Sequence, residues 1–550
     1  MGDSWVLGIC DGHDAGAALV DQDGRLAFAV SEERLSRRKH QPGFPVRAIA
    51  AAMEERLSRG GRLDAVAVAE RAGRWPFRRF DSWYRGTSSS HGPLRNRSRL
   101  AAAWQLAAAR WFPGPSEAAS RAVLKERLLE LEIRAPLVLL DHHDCHAWSA
   151  AAGGADALVV TMDAFGDGVA GGIYRLEGDA ERPRLRRCRR IPAPHGAAIV
   201  YGATTQLLGF DEGDEGKVVA RAAHGDPDRL RPIFASVLEV RDGLPHLRGR
   251  DPLLRLARAL QDESAEDIAA ALQAHIEDVV AQVIGGAHHD FGGRQLRLAG
   301  GLFANVTLNR RLADDALAAG LTDVFVFPAM GDAGLCAGAA LMQRAALGGP
   351  ARGIEDARIG PLAWDESAPI PMRVPPVPIE VDRDKAREAL LAGGIVARCT
   401  RRTEFGPRAL CARSLLFVPD DPVRGRHLNA NLQRDWMMPF GPVLPVEEAP
   451  RLLDGWGPGV APLTRYMTVA LPATKALQQV APAAVHLDGT ARAQVVSHED
   501  DPALHDLLMS LPDKVLVNTS LNLHGEPIAC TLEQAAATAA RAGAELLWVG

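Results

Sequence analysis

Cysteine and aromatic residues are both scarce in this chain of 550 residues. The cysteines are odd in number and form no C-x-x-C pair, so neither a disulfide framework nor a thiolate zinc site is expected. Aromatic residues make up only 5% of the chain, so the cores must be built from Leu, Val, Ile and Ala, which favours an α/β fold. A reducing cytoplasm is the setting that this cysteine usage indicates.

The chain also lacks an excess of either charge and any long apolar segment. Its 63 Lys and Arg residues against 68 Asp and Glu exclude a globally basic nucleic-acid binder. The first residues, MGDSWVLGICDGHD, contain acids where a signal peptide would need a basic and then a long apolar region. The longest uncharged run, 191–210, contains prolines, glycines and a histidine, which are not typical of a membrane helix. We therefore expect a cytoplasmic protein with no membrane or nucleic-acid partner.

One stretch of low periodicity divides the chain. It contains six prolines between Gly360 and Glu380, which predicts a domain linker. We expect a first domain over 1–355, a linker over 356–381 and a second domain over 382–550. Because prolines stiffen a linker, we also expect the two domains to pack together, with the functional site of each domain opening into one shared cavity.

Two segments of the first domain repeat one pattern. WVLGIC, HDAGAALV and RLAFAVSEE read as three strands joined by turns, and ALVVTMDAFGDGVAGGIYRLEGDAERPRLRRCRRI repeats this plan. Each first strand ends in an aspartate, Asp11 and Asp163 respectively. Such a duplication predicts an actin-like, ribonuclease-H-like fold of the ASKHA type.

An Arg-rich insertion, 71–132, separates the two repeats. Between Arg71 and Arg99 it holds eight arginines and one acid, Asp81, interleaved with aromatic residues. Three interpretations stay open: a solvated surface excursion, an anion-attracting lid over an active site, and an RNA-binding patch. The near-neutral chain argues against the RNA patch. After the arginines, 117–131 reads as an amphipathic helix.

The segment LVLLDHHDCHAWSAA carries the strongest local chemical signal. An apolar strand ends at Asp141, which can cap a helix that begins with the next residue. Two histidines four residues apart then share one helical face, the geometry of a two-His metal half-site, whereas the histidine between them points elsewhere. Two aspartates in Gly-rich turns add carboxylates, and this mixed donor set suits Fe(II), Mn(II) or Zn(II). The predicted metal ligands are His142, His146, Asp163 and Asp332.

Other loops have the composition of a nucleotide cleft. LAGGLFANVTLN offers Gly300 and Gly301 for close backbone approach and Asn305 as a hydrogen-bonding side chain before a helix. DEGDEGKVVARAAHG presents Lys217, and EERLSRRKHQPGFP places Lys39 with four other basic residues directly after the third strand. Each of these loops, taken singly, is also typical of a charged surface.

Segments along nearly the whole chain follow the order of one known family. In the first domain these are HDAGAALV, SEERLSRRKH, DHHDCHAWSAA, DEGDEGKVVARAAHG, LAGGLFANVTLN and PAMGDAGLCAGAAL. In the second they are TRRTEFGPRALCARSLLFVPDD, HLNANLQRDWMMPFGPVLP, VHLDGTARAQVV and VLVNTSLNLHGEPIA. Together they resemble the O-carbamoyltransferases of nodulation-factor and antibiotic biosynthesis. The chain departs from that family at Cys411, where Gly is usual, and in NLQRDWMMPF, which replaces a more basic stretch.

The resemblance implies an ATP-dependent O-carbamoyltransferase. Its α/β, YrdC-like second domain would make carbamoyl-adenylate from carbamoyl phosphate and ATP with Mg(II). Its actin-like first domain, related to the tRNA threonylcarbamoyl transferase, would pass the carbamoyl group to an alcohol. The base or carbonyl-polarising group would be His13 or Asp14, and Lys39 would neutralise phosphate charge. Among the metals Fe(II) is preferred, with Mn(II) or Zn(II) as alternatives.

The expected nucleotide and carbamoyl-adenylate contacts lie in both domains. Arginine forks match phosphate oxygens, and amide, hydroxyl and imidazole groups add neutral donors. The residues assigned to these contacts are Gly300, Gly301, Asn305, Lys217, Arg408, Arg413, Arg434, His486, Arg492, Asn518, Ser520 and Asn522.

The expected partner is a small-molecule alcohol of specialised metabolism, and a homodimer is one assembly that we consider. Two other functions are weighed against this one. A threonylcarbamoyl transferase acting on tRNA would use the same first-domain chemistry, with the Arg71–Arg99 segment as its RNA surface. A non-catalytic, actin-like nucleotide-binding protein would not need the histidine pair, the Gly-Asp turns or the second-domain arginines.

Overall fold

The computed structural model describes residues 4–71, 113–364, 373–374, 377–434 and 440–550. Most of the Arg-rich insertion therefore lies outside the described residues, and so do parts of the Pro-rich linker and of NLQRDWMMPF. The lid and RNA-patch interpretations of the insertion stay predictions.

The first sheet contains the strands β1 (Ser4–Cys10), β2 (Gly16–Val20), β3 (Leu26–Ser31), β4 (Arg62–Ala69) and β5 (Leu137–Leu140). Their order in the sheet is β3-β2-β1-β4-β5. β1 is antiparallel to β2 and parallel to β4, β2 is antiparallel to β3, and β4 is parallel to β5. Buried apolar residues lie on both faces, as expected for a sheet covered by helices.

The second sheet repeats this topology in the order β12-β11-β6-β7-β8. β6, β7 and β8 pair antiparallel as β1, β2 and β3 do, and β6, β11 and β12 pair parallel as β1, β4 and β5 do. The predicted duplication is confirmed. One detail differs: Asp163 lies inside β6, where the pairing is irregular after Met162, and not at the end of the strand. The strands are β6 (Ala157–Gly166), β7 (Val169–Glu177), β8 (Arg184–Pro192), β11 (Gln295–Ala299) and β12 (Asp323–Val326).

Helices cover both sheets, and one of them packs unusually close. A Cβ at Gly8 of β1 would lie 1.9 Å from the carbonyl oxygen of Cys336, and one at Gly338 would lie 1.8 Å from that of Cys145. Small residues thus let the Leu335–Ala346 helix touch both β1 and the helix of the histidine pair. The helices are Glu32–Ser36, Val46–Arg59, Pro113–Glu130, His142–Ala151, Ala197–Leu207, Glu215–Ala222, Pro227–Ala235, Pro252–Ala259, Ala265–Phe291, Val306–Ala318 and Leu335–Ala346.

The second half of the chain forms a mixed eight-stranded sheet in the order β13-β14-β22-β15-β16-β21-β17-β20. The predicted α/β class is confirmed, and the YrdC-like relationship stays a prediction. The strands are β13 (Arg373–Val374), β14 (Val377–Glu380), β15 (Val396–Cys399), β16 (Arg413–Phe417), β17 (Gly441–Pro445), β20 (Gln494–Val496), β21 (Leu516–Ser520) and β22 (Leu546–Trp548). The helices are Arg383–Leu391, Pro422–Asn431, Ala449–Leu452, Ala461–Arg465, Lys475–Val480, Pro502–Ser510 and Leu532–Ala542.

Two short ribbons and one connecting segment complete the description. The ribbons pair β9 (Leu238–Arg241) with β10 (Leu244–Leu247), and β18 (Leu471–Pro472) with β19 (Thr490–Ala491). The connecting segment, residues 351–364, bonds to both halves of the chain. Leu26 and Ala29 of β3 donate to its carbonyl oxygens, and its own amides donate to Thr403 and Arg401. Within the described ranges, no helix is long and apolar enough to cross a membrane.

Candidate active site

The histidine pair lies on the helix that follows β5. Asp141 caps this helix as predicted, because its side chain accepts from the backbone N–H of Asp144 at 3.1 Å. Arg187 of β8 donates from Nε to Asp144 at 3.0 Å and also contacts Asp141, so the neighbouring sheet holds the start of the helix. His142 and His146 are 1% and 0% exposed, and their ring centres are 4.8 Å apart.

The two predicted aspartates meet the histidine pair. His146 Nε2 lies 3.4 Å from Asp163 Oδ2 and 3.4 Å from Asp332 Oδ1, and His142 Nε2 lies 3.5 Å from Asp332 Oδ1. One ligand atom from each of these four residues falls within 4.8 Å of all the others. We call this set the quartet. These four residues lie on three separate segments of the sequence, and the fold brings them together.

The donor atoms of the quartet fit a divalent metal ion. Among the described residues, both ring nitrogens of His142 and of His146, and Oδ1 of Asp332, are buried without a hydrogen-bond partner. A buried polar group left in this way costs about 1–3 kcal/mol. Two imidazoles and two carboxylates satisfy Fe(II), Mn(II) or Zn(II), and a bound ion would engage a nitrogen of each ring and an oxygen of each acid.

The electrostatics of the quartet are those of closely opposed charges. Burial by itself would lower the pKa of His142, but Asp332 and Glu70 outweigh it and raise that pKa to about 10. Burial likewise opposes ionisation of Asp332, yet the two histidines hold its pKa well below the usual range. The site is therefore strongly negative whenever its imidazoles are neutral, which is the state that binds a cation.

Sequence reasoning missed two acids beneath the quartet. Glu70 follows β4 at φ 68° and is 5% exposed, and its Oε1 faces His142 Nδ1 at 3.4 Å. Asp167 accepts from the backbone N–H of His142 at 3.0 Å and from that of Arg71 at 3.1 Å. The local signal for Glu70 is an acid directly after the apolar run of β4, and a surface residue would give the same signal. Carboxylates behind metal-binding histidines orient the ring and raise its basicity.

The middle histidine supports the pair from below. His143 contacts Thr161 Oγ1 through Nδ1 and the carbonyl oxygen of Val169 through Nε2, each at 3.1 Å. Burial, together with His142 and His146, lowers the pKa of His143 to about 3. A neutral His143 therefore anchors the helix to the second sheet, which agrees with its predicted orientation away from the pair.

The candidate base residues form a second cluster on a more open surface. Asp14 Oδ1 lies 2.8 Å from His40 Nδ1, and Asp14 Oδ2 lies 3.4 Å from His13 Nδ1. The two imidazole rings stack with centres 5.9 Å apart. Lys39 is not part of this cluster, because its Nζ donates to Glu33 at 3.0 Å. His13 also acts electrostatically on Asp332, so the cluster neighbours the quartet.

The predicted glycine loop reaches the quartet directly. Gly300 has φ 107°, and a Cβ there would lie 2.1 Å from the carbonyl oxygen of Met162. Gly301 donates its N–H to Asp163 Oδ2 at 3.0 Å. The other two predicted contacts are engaged elsewhere. Asn305 caps the Val306–Ala318 helix and bonds to Gln273, and Lys217 pairs with Asp214 at 2.9 Å.

Three arginines of the second half lie close together, without an acidic partner in the part of the chain that the structure describes. No described carboxylate lies within ion-pair distance of Arg408, Arg434 or Arg492, and Nε of both Arg408 and Arg492 is buried without a partner. Burial and the two neighbouring guanidiniums hold the pKa of Arg492 well below its usual range. Burial and Arg492 also lower the pKa of His486 to about 4. Guanidiniums arranged in this way suit the oxygens of an anionic ligand.

The remaining predicted contacts support this arginine cluster. Arg434 donates to Thr519 Oγ1 at 2.5 Å, to Ser520 Oγ at 2.9 Å and to Asn522 Oδ1 at 3.2 Å. Asn518 is buried and donates to Gln494 at 2.7 Å. These side chains therefore orient the guanidinium and the sheet around it.

Arg413 requires a correction. It is 0% exposed, and its guanidinium donates to the carbonyl oxygens of Thr400 at 2.6 Å, Ala412 at 2.8 Å and Cys530 at 2.9 Å. Because these donors are already bonded to backbone carbonyl groups, we reassign Arg413 from phosphate binding to bracing the sheet.

The quartet and the arginine cluster approach each other where the two halves of the chain touch. Arg408 Nη2 donates to the carbonyl oxygen of Ala304 at 3.1 Å, three residues beyond the amide that bonds Asp163. Asn309 donates to the carbonyl oxygen of Thr468 at 2.7 Å, which ties the same region together. Gly406 has φ 120°, and a Cβ there would lie 2.9 Å from the carbonyl oxygen of Pro328. The quartet and the arginine cluster therefore lie on opposite sides of the same contact region between the halves.

Known families match both halves of the chain. Residues 5–341 match the family described as "Carbamoyltransferase N-terminus", and residues 387–550 match "Carbamoyltransferase C-terminus". Nodulation protein NolO of Bradyrhizobium diazoefficiens is 32% identical, covering 72% of this chain and 76% of its own. Nodulation protein NolNO of Sinorhizobium fredii is 28% identical, covering 96% and 76%. The 3'-hydroxymethylcephem-O-carbamoyltransferase of Amycolatopsis lactamdurans is 28% identical, covering 66% and 69%.

Similarity to solved structures is weaker. Full-length HypF in a phosphate- and nucleotide-bound form is 12% identical with a TM-score of 0.38, covering 63% of this chain and 47% of that chain. A likeness at this level carries no argument, so the fold assignment rests on the repeated strand order.

Proposed function

The chain belongs to the carbamoyltransferase family, and from that premise we propose that it is an ATP-dependent O-carbamoyltransferase with a small-molecule alcohol as acceptor. The names of its relatives support an acceptor from specialised metabolism, since one of them is a hydroxymethylcephem O-carbamoyltransferase. The observation that carries the proposal is the meeting of the quartet with the arginine cluster at the Arg408–Ala304 contact.

The arginine cluster is the candidate site for carbamoyl phosphate and ATP. Arg408, Arg434 and Arg492 would hold phosphate oxygens, and neutral His486 would add a donor or acceptor. Atom balance requires that water release phosphate from carbamoyl phosphate. The resulting carbamate oxygen then attacks the α-phosphorus of ATP, which forms carbamoyl-adenylate and releases pyrophosphate.

The second cluster, formed by His13, Asp14 and His40, is the candidate site for activation of the acceptor. An alcohol has a pKa far above 7, so its proton must be removed as its oxygen attacks the carbamoyl carbon. His13 would accept that proton while Asp14 orients the ring, and the bond from the carbamoyl carbon to the adenylate oxygen would break, releasing AMP.

The quartet would hold the metal ion through His142, His146, Asp163 and Asp332. When bound there, a divalent cation would polarise an oxygen of the reacting groups and so stabilise the negative charge that develops during transfer. Gly301 fixes one of the two carboxylates by its N–H, and Glu70 faces one of the two rings.

Because carbamoyl-adenylate is labile, we expect it to stay enclosed within the protein between the two steps. A mixed anhydride such as carbamoyl-adenylate hydrolyses readily in water, and a closed path between the two clusters would prevent that side reaction. The short contacts of Arg408 and Asn309 across the two halves support such a path.

A direct test uses the full-length protein loaded with Fe(II). It is incubated with ATP, carbamoyl phosphate and a panel of hydroxylated metabolites, and products are examined by mass spectrometry for the addition of one carbamoyl group. Pyrophosphate release is followed in parallel, with ATP omitted as the control. Carbamoylation of a hydroxyl that depends on ATP supports the proposal. ATP-independent transfer, or pyrophosphate release without dependence on carbamoyl phosphate, would contradict it.

A further inference from the structure

The cluster of His13, Asp14 and His40 has the composition of a metal site as well as that of a base. One ligand atom from each of the three residues lies within 4.8 Å of the other two. Both imidazoles direct Nδ1 at the same carboxylate, at 3.4 Å and 2.8 Å. Two imidazole nitrogens and one carboxylate oxygen are a donor set that binds zinc.

Backbone contacts fix this arrangement before any ligand arrives. The loop between β1 and β2 and the segment after the Glu32–Ser36 helix are joined by two main-chain hydrogen bonds, from Ala15 to Gln41 and from Gly43 to Gly12. His40 adopts φ 52°, and its N–H donates to Glu33 Oε2 at 2.8 Å. The two loops that carry the ligands are therefore held in register.

Exposure separates this cluster from the quartet. The side chains of His13, Asp14 and His40 are 42%, 23% and 43% exposed, whereas the histidines of the quartet are almost fully buried. Three protein ligands leave at least one coordination position to water, and one carboxylate in place of two gives less negative charge. Such a site exchanges its ion with solvent.

We propose that His13, Asp14 and His40 form a second divalent-cation site that takes up zinc reversibly and, when filled, inhibits carbamoyl transfer. The inhibitory part rests on the proposed function, because coordination occupies the lone pair with which His13 would accept the proton of the acceptor. The binding part does not depend on that function.

The test compares variants of the full-length holoenzyme, whose quartet has been loaded with Fe(II). His40→Asn keeps an amide N–H to donate to Asp14 but removes the imidazole nitrogen that would bind zinc. The matched control is His289→Ala, because His289 is an exposed histidine whose Nδ1 lies 3.3 Å from Asp290 and which belongs to no three-ligand group among the described residues. Zinc uptake is measured by isothermal titration calorimetry and by competition with a chromophoric chelator.

The wild-type protein and His289→Ala are expected to bind one further equivalent of zinc, and His40→Asn to bind it at least about tenfold more weakly. The His142→Ala, His146→Ala double variant should still take up this equivalent. Absence of a further equivalent in the wild-type protein, or equal affinity in His40→Asn, would overturn the site.

Activity gives the second readout. Inhibition is expressed relative to each protein's own rate in zinc-free buffer, and half-inhibition should require at least about tenfold more zinc in His40→Asn than in the wild-type protein. Zinc binding at the cluster without inhibition would overturn the inhibitory part alone. Zinc binding in a protein that shows no carbamoyl transfer would leave the site standing and count against the proposed function.

Discussion

The quartet, with its buried histidines, and the half-buried arginine cluster differ in the charge that they gather. The quartet gathers two aspartates around two imidazoles, with Glu70 and Asp167 behind them. The arginine cluster sets three guanidiniums side by side with no described acid within reach. The comparison shows that the fold gathers carboxylates and imidazoles on one side of the contact between the halves and guanidiniums on the other.

The largest effect is expected from breaking the quartet. Replacing His142 and His146 together with Ala removes two ligands and should reduce transfer to the background rate. Pyrophosphate release should persist, because it depends on the arginine cluster. The matched control is His275→Ala, because His275 is a buried histidine that contacts the carbonyl oxygen of Leu238 and the ring of Phe234 and is not part of the quartet. Parental transfer by the double variant, measured by mass spectrometry, would refute the metal assignment.

Breaking the arginine cluster should impair the first half-reaction and, with it, the transfer that follows. Arg492→Ala removes a charge-assisted phosphate contact and should weaken carbamoyl phosphate binding by about 1.5–3 kcal/mol, or roughly tenfold to a hundredfold. Without ligand, the same variant should have a higher Tm, because it relieves repulsion with Arg408 and Arg434. A lower ligand-free Tm together with unchanged KM would show that Arg492 is structural.

The contribution of the second acid layer can be measured separately. Glu70→Gln keeps the shape of the side chain that faces His142 but loses its charge, so Fe(II) affinity should fall about tenfold to a hundredfold. Glu55→Gln is the control, since Glu55 is largely buried and pairs with Arg402 at 2.9 Å but is not part of the quartet. Metal content after dialysis against graded chelator gives the result. Equal metal retention in the two variants would remove Glu70 from the site.

Arg413 sharpens the boundary of the arginine cluster. Arg413→Lys keeps the charge but cannot reach all the carbonyl oxygens that the guanidinium bonds, so unfolding free energy should fall by about 1–3 kcal/mol. The KM for carbamoyl phosphate should not change. Urea denaturation and steady-state kinetics distinguish the two effects, and a raised KM at unchanged stability would return Arg413 to phosphate binding.

The smallest effect is expected at Cys411. This residue adopts φ 64°, the left-handed region that favours glycine, at the position where the resembled family has Gly. Cys411→Gly relieves backbone strain but leaves a small gap beside Gln494, so the net change in unfolding free energy should stay within about 1 kcal/mol. Catalysis should be unaffected. A large loss of stability would mean that packing of the thiol outweighs the strain.

Local sequence patterns predicted the parts of the structure that local physics determines. The Asp141 cap, the helical spacing of His142 and His146 and the repeated three-strand pattern depend on neighbours in sequence, and all are present. Glu70 escaped notice because a lone acid after a strand is indistinguishable from a surface residue until the fold buries it. Arg413 was misassigned because a guanidinium bonds carbonyl oxygens as readily as phosphate oxygens.

The meeting of the two clusters could not be predicted, because it depends on how the halves of the chain dock. The hydrogen bond from Arg408 to Ala304 joins residues 104 positions apart. The resemblance implied two cooperating sites, and no pattern in either segment identifies this particular pairing.

The connecting segment 351–364 has a consequence for how the protein is made and maintained. Its carbonyl oxygens cover the edge strand β3, and its amides bond Thr403 and Arg401, so it contributes structure to both halves. Two separate genes for the halves would need matched expression and a concentration high enough for assembly, and a break before this segment would leave the edge of β3 uncovered. One continuous polypeptide fixes the ratio of the two halves at one to one in every cell that synthesises it.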